Sequence, residues 1–385
     1  MNDALQIEEM TAKAQGARHS LELQSIRGIA ALAVLLHHCS FYYKYDPDLK
    51  YFAEILINAH AAVVLFFVLS GYVLSTSISR SAMSASNFSG FYVRRIARIF
   101  PALYIGVAMA LLYVAIFQNH PIPDIVSPWW PAEHRQFPDN RHIVLTLAGI
   151  STGLALPLWT LLIEICASAL LPWLLLALSY KKWMIWPLSA IYSAIVLYAG
   201  PGWHAVPLYF SGFLFGTAIA ISPPALKSGH ILIALIGITL LWFGRLLFNA
   251  SFTVDYHNAA ATVCEGLGAM LFISAIVHQK DGYAILRHPA LVWLGDISYS
   301  LYLVHMSILG IIAGLGTEIF RLPIMTEGGL PATLVLMPST AAATIVLSAL
   351  IYRFVELPMI SVGKRLAHRV ERTVAGRRPQ VAITQ

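Results

Sequence analysis

The chain has 385 residues, with 25 lysines and arginines against 19 aspartates and glutamates, a formal net charge of +6 at pH 7. Hydrophobic residues make up 58% of it and charged residues only 11%, whereas soluble domains carry roughly 25% charged residues. So few charges cannot cover the surface of a water-soluble protein of this size. The mean hydropathy of +0.70 indicates instead a protein that is solvated mainly by lipid.

Apolar blocks recur along the chain, and each is long enough to cross about 30 Å of hydrocarbon as an α-helix. They predict an all-α, polytopic integral membrane protein with about ten transmembrane helices. The predicted helices are 26–43, 55–78, 99–118, 158–179, 183–199, 206–222, 230–248, 258–278, 291–316 and 330–352. We expect one transmembrane domain, 26–360, between an N-terminal segment, 1–25, and a basic tail, 361–385. The stretch 142–156 is apolar but short, so it is either re-entrant or an eleventh span.

Positive residues predict the orientation, because cytoplasmic loops are enriched in Lys and Arg. With both termini in the cytoplasm, seventeen lysines and arginines fall in inner segments and three lie within or at the edges of helices. The outer loops then hold only Lys44, Lys50, Arg135, Arg141 and Arg321. We therefore expect a multi-pass protein of the inner (plasma) membrane with both termini cytoplasmic. Its basic character reflects membrane topology, and no nucleic-acid partner is expected.

Ionisable residues inside predicted helices are informative, because a charge at mid-bilayer costs at least about 2.5 to 3.5 kcal/mol and usually faces a protein interior or a wet cavity. The first predicted helix has Arg27 near its inner end and His38 eleven residues later. Eleven residues are about three turns and about 16 Å of rise, so both side chains lie on one stripe and His37 points to another face. An imidazole there could act as a general base or be a structural histidine that hydrogen-bonds to a neighbouring helix.

A basic segment, FYVRRIARIFPALY, precedes the predicted helix 99–118 and places Arg94, Arg95 and Arg98 at the cytoplasmic mouth. Arg95 and Arg98 are three residues apart and share a face of a helix. A guanidinium pair can hold phosphates through several charge-assisted hydrogen bonds, and coenzyme A carries a 3′-phosphate and a pyrophosphate. Ordinary enrichment of positive residues on the cytoplasmic side would produce the same cluster.

Glu164 lies in the predicted helix 158–179, about two turns from its outer end, with no cation nearby in its own segment. A carboxylate inside a membrane needs a partner on another helix. His38, predicted at a similar depth, and Arg245 are the candidate partners. Glu164 is therefore a candidate to orient a base or bind an acceptor hydroxyl, or else a structural hydrogen-bonding group.

Polar side chains also lie on the predicted helix 291–316, whose segment DISYSLYLVH places Asp296 and His305 within three turns. Polar groups on successive faces indicate a wet lining or hydrogen bonds between helices. Asp296 and His305 are therefore further candidates, and Glu265 is a buried acid without a motif. No spacing of histidines or cysteines predicts a metal site.

Six segments occur in order between about residues 21 and 360, namely RGIAALAVLLHH, FFVLSGYVLS, FYVRRIARIFPALY, PLWTLLIE, SYSLYLVH and FVELP. Together they resemble the membrane acyltransferase-3 family. The resemblance implies a ten-helix protein that uses acyl-CoA, commonly acetyl-CoA, to O-acylate cell-surface polysaccharides, lipopolysaccharide, peptidoglycan or small metabolites. It implies Arg27 and His38 as the family's Arg-x10-His pair, and Arg95 and Arg98 as its Arg-x-x-Arg motif. The short tail is what the resemblance predicts for a stand-alone member without an appended esterase-like domain.

We therefore predict an O-acyltransferase that moves an acyl group, by default acetyl, from acyl-CoA to a hydroxyl of a cell-surface polysaccharide, lipopolysaccharide or similar acceptor. In this hypothesis Arg95 and Arg98 bind coenzyme A phosphates, His38 deprotonates the hydroxyl and Glu164 steadies the imidazolium. Direct transfer and an acyl-histidine intermediate both stay open. The alternative is a glycan or lipid transporter or flippase that uses the same polar cavity, although transporters often show repeated halves and this sequence shows none.

Overall fold

The computed structural model describes residues 2–80, 83–130, 135–151, 154, 158–199, 205–224, 228–248, 256–279 and 282–376. These residues are predominantly helical and contain no strand, which confirms the predicted all-α fold class. Within them, seven helical stretches are long and apolar enough to cross a membrane, and Val206–Ile221 is a shorter apolar helix. The chain is a multi-pass membrane protein, while the count of ten spans and the placement of both termini stay predictions.

The helices, in chain order, are α1 Asn2–Tyr42, α2 Pro47–Leu56, α3 Ala59–Ser79, α4 Ala85–Phe117, α5 Asn140–Leu147, α6 Leu158–Ala177, α7 Ile185–Ala199, α8 Ala205–Ile221, α9 His230–Phe243, α10 Ala259–His278, α11 Pro289–Gly314, α12 Pro323–Glu327, α13 Gly329–Ile351 and α14 Leu357–Gly376. Two π-helical turns, Leu315–Ile319 and Tyr352–Glu356, continue α11 and join α13 to α14. Each of the ten predicted apolar blocks overlaps one of these helices.

The start of α4 differs from the prediction. α4 begins at Ala85, fourteen residues before the predicted helix 99–118, and the Ser84 hydroxyl caps it by accepting the Asn87 N–H at 3.3 Å. Arginine is a good helix former, so the helix continues from the bilayer into the polar region at its surface. The arginines of this segment therefore lie on α4 itself and not on a connection before it.

The short apolar stretch 142–156 does not form an eleventh helix across the membrane in its described part. α5 has only eight residues and begins where the Asp139 carboxylate accepts the His142 N–H at 2.7 Å. Eight residues rise about 12 Å, well short of the hydrocarbon thickness. Residues 152, 153 and 155–157 of this stretch lie outside the described residues.

The predicted basic tail, 361–385, is helical as far as residue 376, and residues 377–385 lie outside the described residues. α14 packs along the first half of α4, where Gly363 lies against Ala97 and Arg94 pairs with Glu371 at 2.6 Å. The described part of the tail is therefore docked on the helix bundle and not a separate solvated segment.

Two glycines bring α1 and α11 together. A Cβ atom on Gly28 would lie 2.5 Å from the Gly295 backbone nitrogen, so only glycine allows the two backbones to approach this closely. His38 and His305 each follow their glycine by ten residues, and they meet side by side in the structure. α1 and α11 therefore run parallel from this crossing point, and equal helical rise brings the two imidazoles to one level.

The predicted orientation can be measured with reporter fusions. We expect a periplasmic reporter to be active after residue 140 and inactive after residue 378, because most of the lysines and arginines would otherwise face the outside. A cytoplasmic reporter at the same two positions is the matched control and should give the opposite pattern. Periplasmic activity from the fusion after residue 378 would contradict the orientation.

Candidate functional site

His38 of α1 forms a hydrogen bond with His305 of α11. The distance from His38 Nδ1 to His305 Nε2 is 2.8 Å, and the two ring planes lie within 8° of each other with centroids 5.0 Å apart. On its other side the His38 ring stacks on Trp129, at 5.2 Å and 17°, from the loop that follows α4. Two candidate histidines from distant parts of the sequence are thus brought together.

His37 is turned away from this pair. Its Nδ1 lies 2.7 Å from the Ile57 carbonyl oxygen, and its ring stacks on Phe41 at 4.4 Å. The hydrogen bond ties α1 to the end of α2, and the ring contact lies within α1, as expected of a structural histidine. This is the separation of faces that the 100° step between adjacent helical residues predicts.

Arg27, Arg95 and Arg98 form a cluster about three helical turns from His38, toward the start of α1. Arg27 interacts electrostatically with Arg98 and Arg95, and also with the carboxylates Glu164 and Glu356. Three guanidinium groups therefore face two carboxylates, and the cluster keeps a positive excess. Such an excess, next to a cavity, is a favourable environment for an anion.

Glu164 has a different partner from either that the sequence predicted. Its Oε1 accepts a hydrogen bond from Arg95 Nη2 at 2.6 Å, so it pairs with neither His38 nor Arg245. The prediction counted depth from the start of the apolar block, as if that start lay at the outer surface. The pairing with Arg95 puts Glu164 at the level of the arginine cluster instead, about three turns from the imidazole pair.

Two more acids link helices at this end of the bundle. Ser300 donates a hydrogen bond to Glu356, a buried residue on the π-helical turn after α13. Asp296 accepts hydrogen bonds from Gln24 and, at 3.2 Å, from the Tyr352 hydroxyl. Asp296 therefore joins α1, α11 and the turn after α13, which is a structural role. Arg94 makes its ion pair with Glu371 of α14, outside the cavity.

A cavity lies between α1, α3, α6 and α11. Its polar lining consists of Arg27, Ser70, Thr160, Glu164, Ser298, Tyr299 and Tyr302. Arg27 and Glu164 belong to the arginine cluster. Tyr302 marks the other end, where it accepts a hydrogen bond from Thr160 at 3.0 Å and packs edge-on against Phe66. His305 is one helical turn beyond Tyr302, so the cavity leads from the arginine cluster toward the imidazole pair.

Trp129, in the loop after α4, covers one face of the His38 ring. Arg135 holds this loop by a bidentate pair with Glu318, at 2.6 and 3.0 Å, and by a hydrogen bond to the Tyr113 hydroxyl. Trp130 donates to the same hydroxyl at 3.1 Å. These contacts fix the neighbouring Trp129 over His38. Among the described residues, no group of three or more His, Cys, Asp or Glu side chains is arranged to hold a metal ion.

Comparison with known proteins identifies the family of this chain. The model of the acyltransferase-3 family, described as an acyltransferase domain, matches residues 20–353. The chain belongs to the acyltransferase-3 family. It is therefore an enzyme of the acyltransferase class, and a transporter or flippase is not the favoured alternative.

Named relatives of this acyltransferase are distant. O-acetyltransferase PaAT-1 of Phomopsis amygdali is 24% identical over 91% of this chain and 85% of its own length. Peptidoglycan O-acetyltransferase OatA of Listeria monocytogenes is 24% identical over 89% of this chain and 56% of its own length. The chain therefore spans a little over half the length of the bacterial relative. No solved structure matches it.

A second buried polar cluster in the acyltransferase lies among α3, α8 and α10. His60 hydrogen-bonds to Glu265, and its Nε2 lies 2.7 Å from the Tyr209 hydroxyl. Arg245 lies 3.7 Å from Glu265 and donates to the Tyr256 carbonyl at 2.6 Å. The side chains of His60, Arg245 and Glu265 are fully buried. Because none of these groups lines the cavity, we interpret the cluster as structural.

Several residues around the site were not assigned by the sequence analysis. Trp129 carries no signal in the sequence that distinguishes it from other aromatic residues, whereas Tyr302 lies in the SYSLYLVH segment quoted for the family resemblance. Glu356 had a signal, because it is the acid of the FVELP segment quoted for the family resemblance. His305 was a candidate, but its partner His38 was not predicted.

Proposed function

We propose that the protein is an O-acetyltransferase of the inner (plasma) membrane, which transfers an acetyl group from acetyl-CoA to a hydroxyl of a cell-surface polysaccharide, lipopolysaccharide or similar acceptor. The observation that carries the proposal is a cavity with an excess of guanidinium groups at one end and a hydrogen-bonded imidazole pair beyond the other. The names of the relatives, both O-acetyltransferases, support acetyl as the group transferred.

The donor phosphates would bind at the arginine cluster. Arg95 is held by Glu164, whereas Arg27 and Arg98 form no ion pair within the part of the chain that the structure describes. We therefore assign the main phosphate contacts to Arg27 and Arg98, and to Arg95 the role of tying α4 to α6 beside them. This changes the expectation from sequence, in which Arg95 and Arg98 formed the phosphate-binding pair.

The acetyl transfer would occur at His38. His38 is four residues from the end of α1 at Tyr42, which in the predicted orientation is the outer end, so an acceptor from outside could reach it. The imidazole takes the proton of the acceptor hydroxyl as the oxygen attacks the thioester carbonyl. The tetrahedral intermediate then expels the coenzyme A thiolate, which takes up that proton. The products are an acetyl ester and free coenzyme A, with no change in net proton count.

Donor binding is the first test. We expect Arg98→Ala to weaken acetyl-CoA binding to the purified protein by about 10- to 100-fold, because a hydrogen bond to a charged group contributes about 1.5 to 3 kcal/mol. Lysine should restore part of the affinity, since an ammonium lacks the planar fork. Arg94→Ala is the matched control, a neighbouring arginine that pairs with Glu371 on the bundle surface. Equal affinity in all three variants would contradict a phosphate site at Arg98.

The acceptor class is tested in cells. We expect surface glycans from a deletion strain to lack one acetyl mass that complementation with the wild-type gene restores and the His38→Ala gene does not. A transporter would produce a different result, since its loss would remove or retain the whole glycan without a change of one acetyl unit. An unchanged glycan mass profile would contradict the proposed acceptor.

A further inference from the structure

We infer that His305 is the positioning residue for His38 and that it makes Nε2 of His38 the basic atom. The inference rests on the proposed function, since it concerns the base of that reaction. It replaces the role that the sequence analysis gave to Glu164, which lies at the arginine cluster instead.

The hydrogen bond that His305 makes within α11 fixes its tautomer. Its Nδ1 lies 2.7 Å from the carbonyl oxygen of Tyr302, three residues earlier on α11. A carbonyl oxygen can only accept, so Nδ1 of His305 carries the hydrogen. A neutral imidazole has one N–H, which leaves Nε2 of His305 with a lone pair. His305 is 1% exposed, so no solvent competes for this arrangement.

The tautomer of His305 in turn determines the tautomer of His38. Its Nδ1 lies 2.8 Å from Nε2 of His305, and because that atom is an acceptor, Nδ1 of His38 must be the donor. Nε2 of His38 then keeps its lone pair and is the atom that can take a proton. The 8° angle between the ring planes directs the N–H of one ring along the lone pair of the other.

Two packing contacts hold the imidazole pair in place. The close crossing at Gly28 and Gly295 sets the relative height of α1 and α11, and Trp129 packs on the face of the His38 ring. His38 is therefore fixed in plane by its hydrogen bond and out of plane by the indole. A base fixed in this way loses no rotational freedom when the acceptor arrives.

The arrangement also suits a membrane interior. When Nε2 of His38 takes a proton, the ring donates its Nδ1–H to a neutral imidazole that in turn donates to a backbone carbonyl. The positive charge is stabilised by this chain of dipoles without a permanent carboxylate beside it. A carboxylate at that depth would carry its own desolvation cost whenever the histidine was neutral.

Kinetics of His305 variants test the inference in nanodiscs. We expect His305→Leu to lower kcat by about 10- to 100-fold, the usual cost of losing an orienting partner, with acetyl-CoA affinity within about twofold of wild type. His305→Gln should recover most of kcat, because its amide oxygen can accept the Nδ1–H of His38. His278→Leu is the matched control. His278 also lies on a membrane helix with its Nδ1 at 2.8 Å from a carbonyl of the same helix, but it is the last residue of α10, whereas the pair joins α1 to α11.

The outcomes separate this inference from the proposed function. Normal kcat in His305→Leu together with an inactive His38→Ala would overturn the positioning role and leave the base assignment intact. Activity in His38→Ala would overturn the proposed base itself. Should His305→Leu fail to fold, nitrogen-15 spectra of histidine-labelled wild-type protein still decide, with His38→Ala used to identify the resonance. We expect the Nδ1–H tautomer at His38, and an Nε2–H tautomer would contradict the inference.

Discussion

Replacing His38 with alanine is expected to lower turnover by about 10²- to 10⁴-fold, the range that general-base catalysis contributes. Acetyl-CoA affinity should stay near that of the wild type, because the proposed phosphate contacts lie about 16 Å away along α1. The measurement is turnover and donor binding on the same purified sample in nanodiscs. A loss of both together with thermal stability would indicate a structural histidine instead.

The neighbouring His37 provides the control for this experiment. Its hydrogen bond to the Ile57 carbonyl joins α1 to the end of α2, and its ring packs on Phe41 of the same helix. His37→Ala should therefore lower the thermal stability and leave turnover per folded molecule close to wild type. His38→Asn adds a second check, because asparagine can keep one hydrogen bond to His305 but cannot act as a base at neutral pH. Near-wild-type turnover in a well-folded His38→Asn variant would contradict the base assignment.

The second large effect is expected at the buried cluster of His60, Arg245 and Glu265. Glu265→Leu should destabilise the protein by about 3 to 5 kcal/mol, because it removes the carboxylate that hydrogen-bonds to buried His60 and faces the buried Arg245 guanidinium at 3.7 Å. Unfolding of the detergent-solubilised protein, followed by circular dichroism, measures the change. Folded Glu265→Leu protein with normal stability and no turnover would contradict the structural interpretation and place the cluster in the reaction.

A double variant sharpens the test. Arg245→Met combined with Glu265→Leu removes both charges and fills similar volumes, so we expect it to recover part of the stability that Glu265→Leu loses. The two single variants and the double variant form a thermodynamic cycle for residues in contact. If the two single effects simply add, the ion pair between these side chains is not what stabilises the region.

What could be predicted from the sequence was mostly local. The helical period places Arg27 and His38 on one stripe and turns His37 away, and these relations hold within α1 whatever packs against it. The apolar blocks likewise predict the helices of the bundle, since each must satisfy its own backbone in lipid.

The contacts between helices could not be predicted in the same way. The pairing of His38 with His305 depends on where α1 crosses α11, and that point is set by the glycines 28 and 295, which look ordinary in the sequence. The depth of Glu164 was wrong because the apolar block that carries it was taken to begin at the outer surface. A block of sequence gives the length of a helix but not its height in the bilayer.

One unbroken helix carries both ends of the proposed donor path, since Arg27 and His38 lie on α1 with no turn or kink between them. Their separation of about 16 Å is set by helix geometry and not by packing. Movements that widen either end of the helix bundle would leave the separation of Arg27 and His38 unchanged. α1 thus fixes the minimum length of the donor. A thioester donor whose chain between the charged group and the thioester is shorter than this separation would not reach His38, however tightly its charged end was bound.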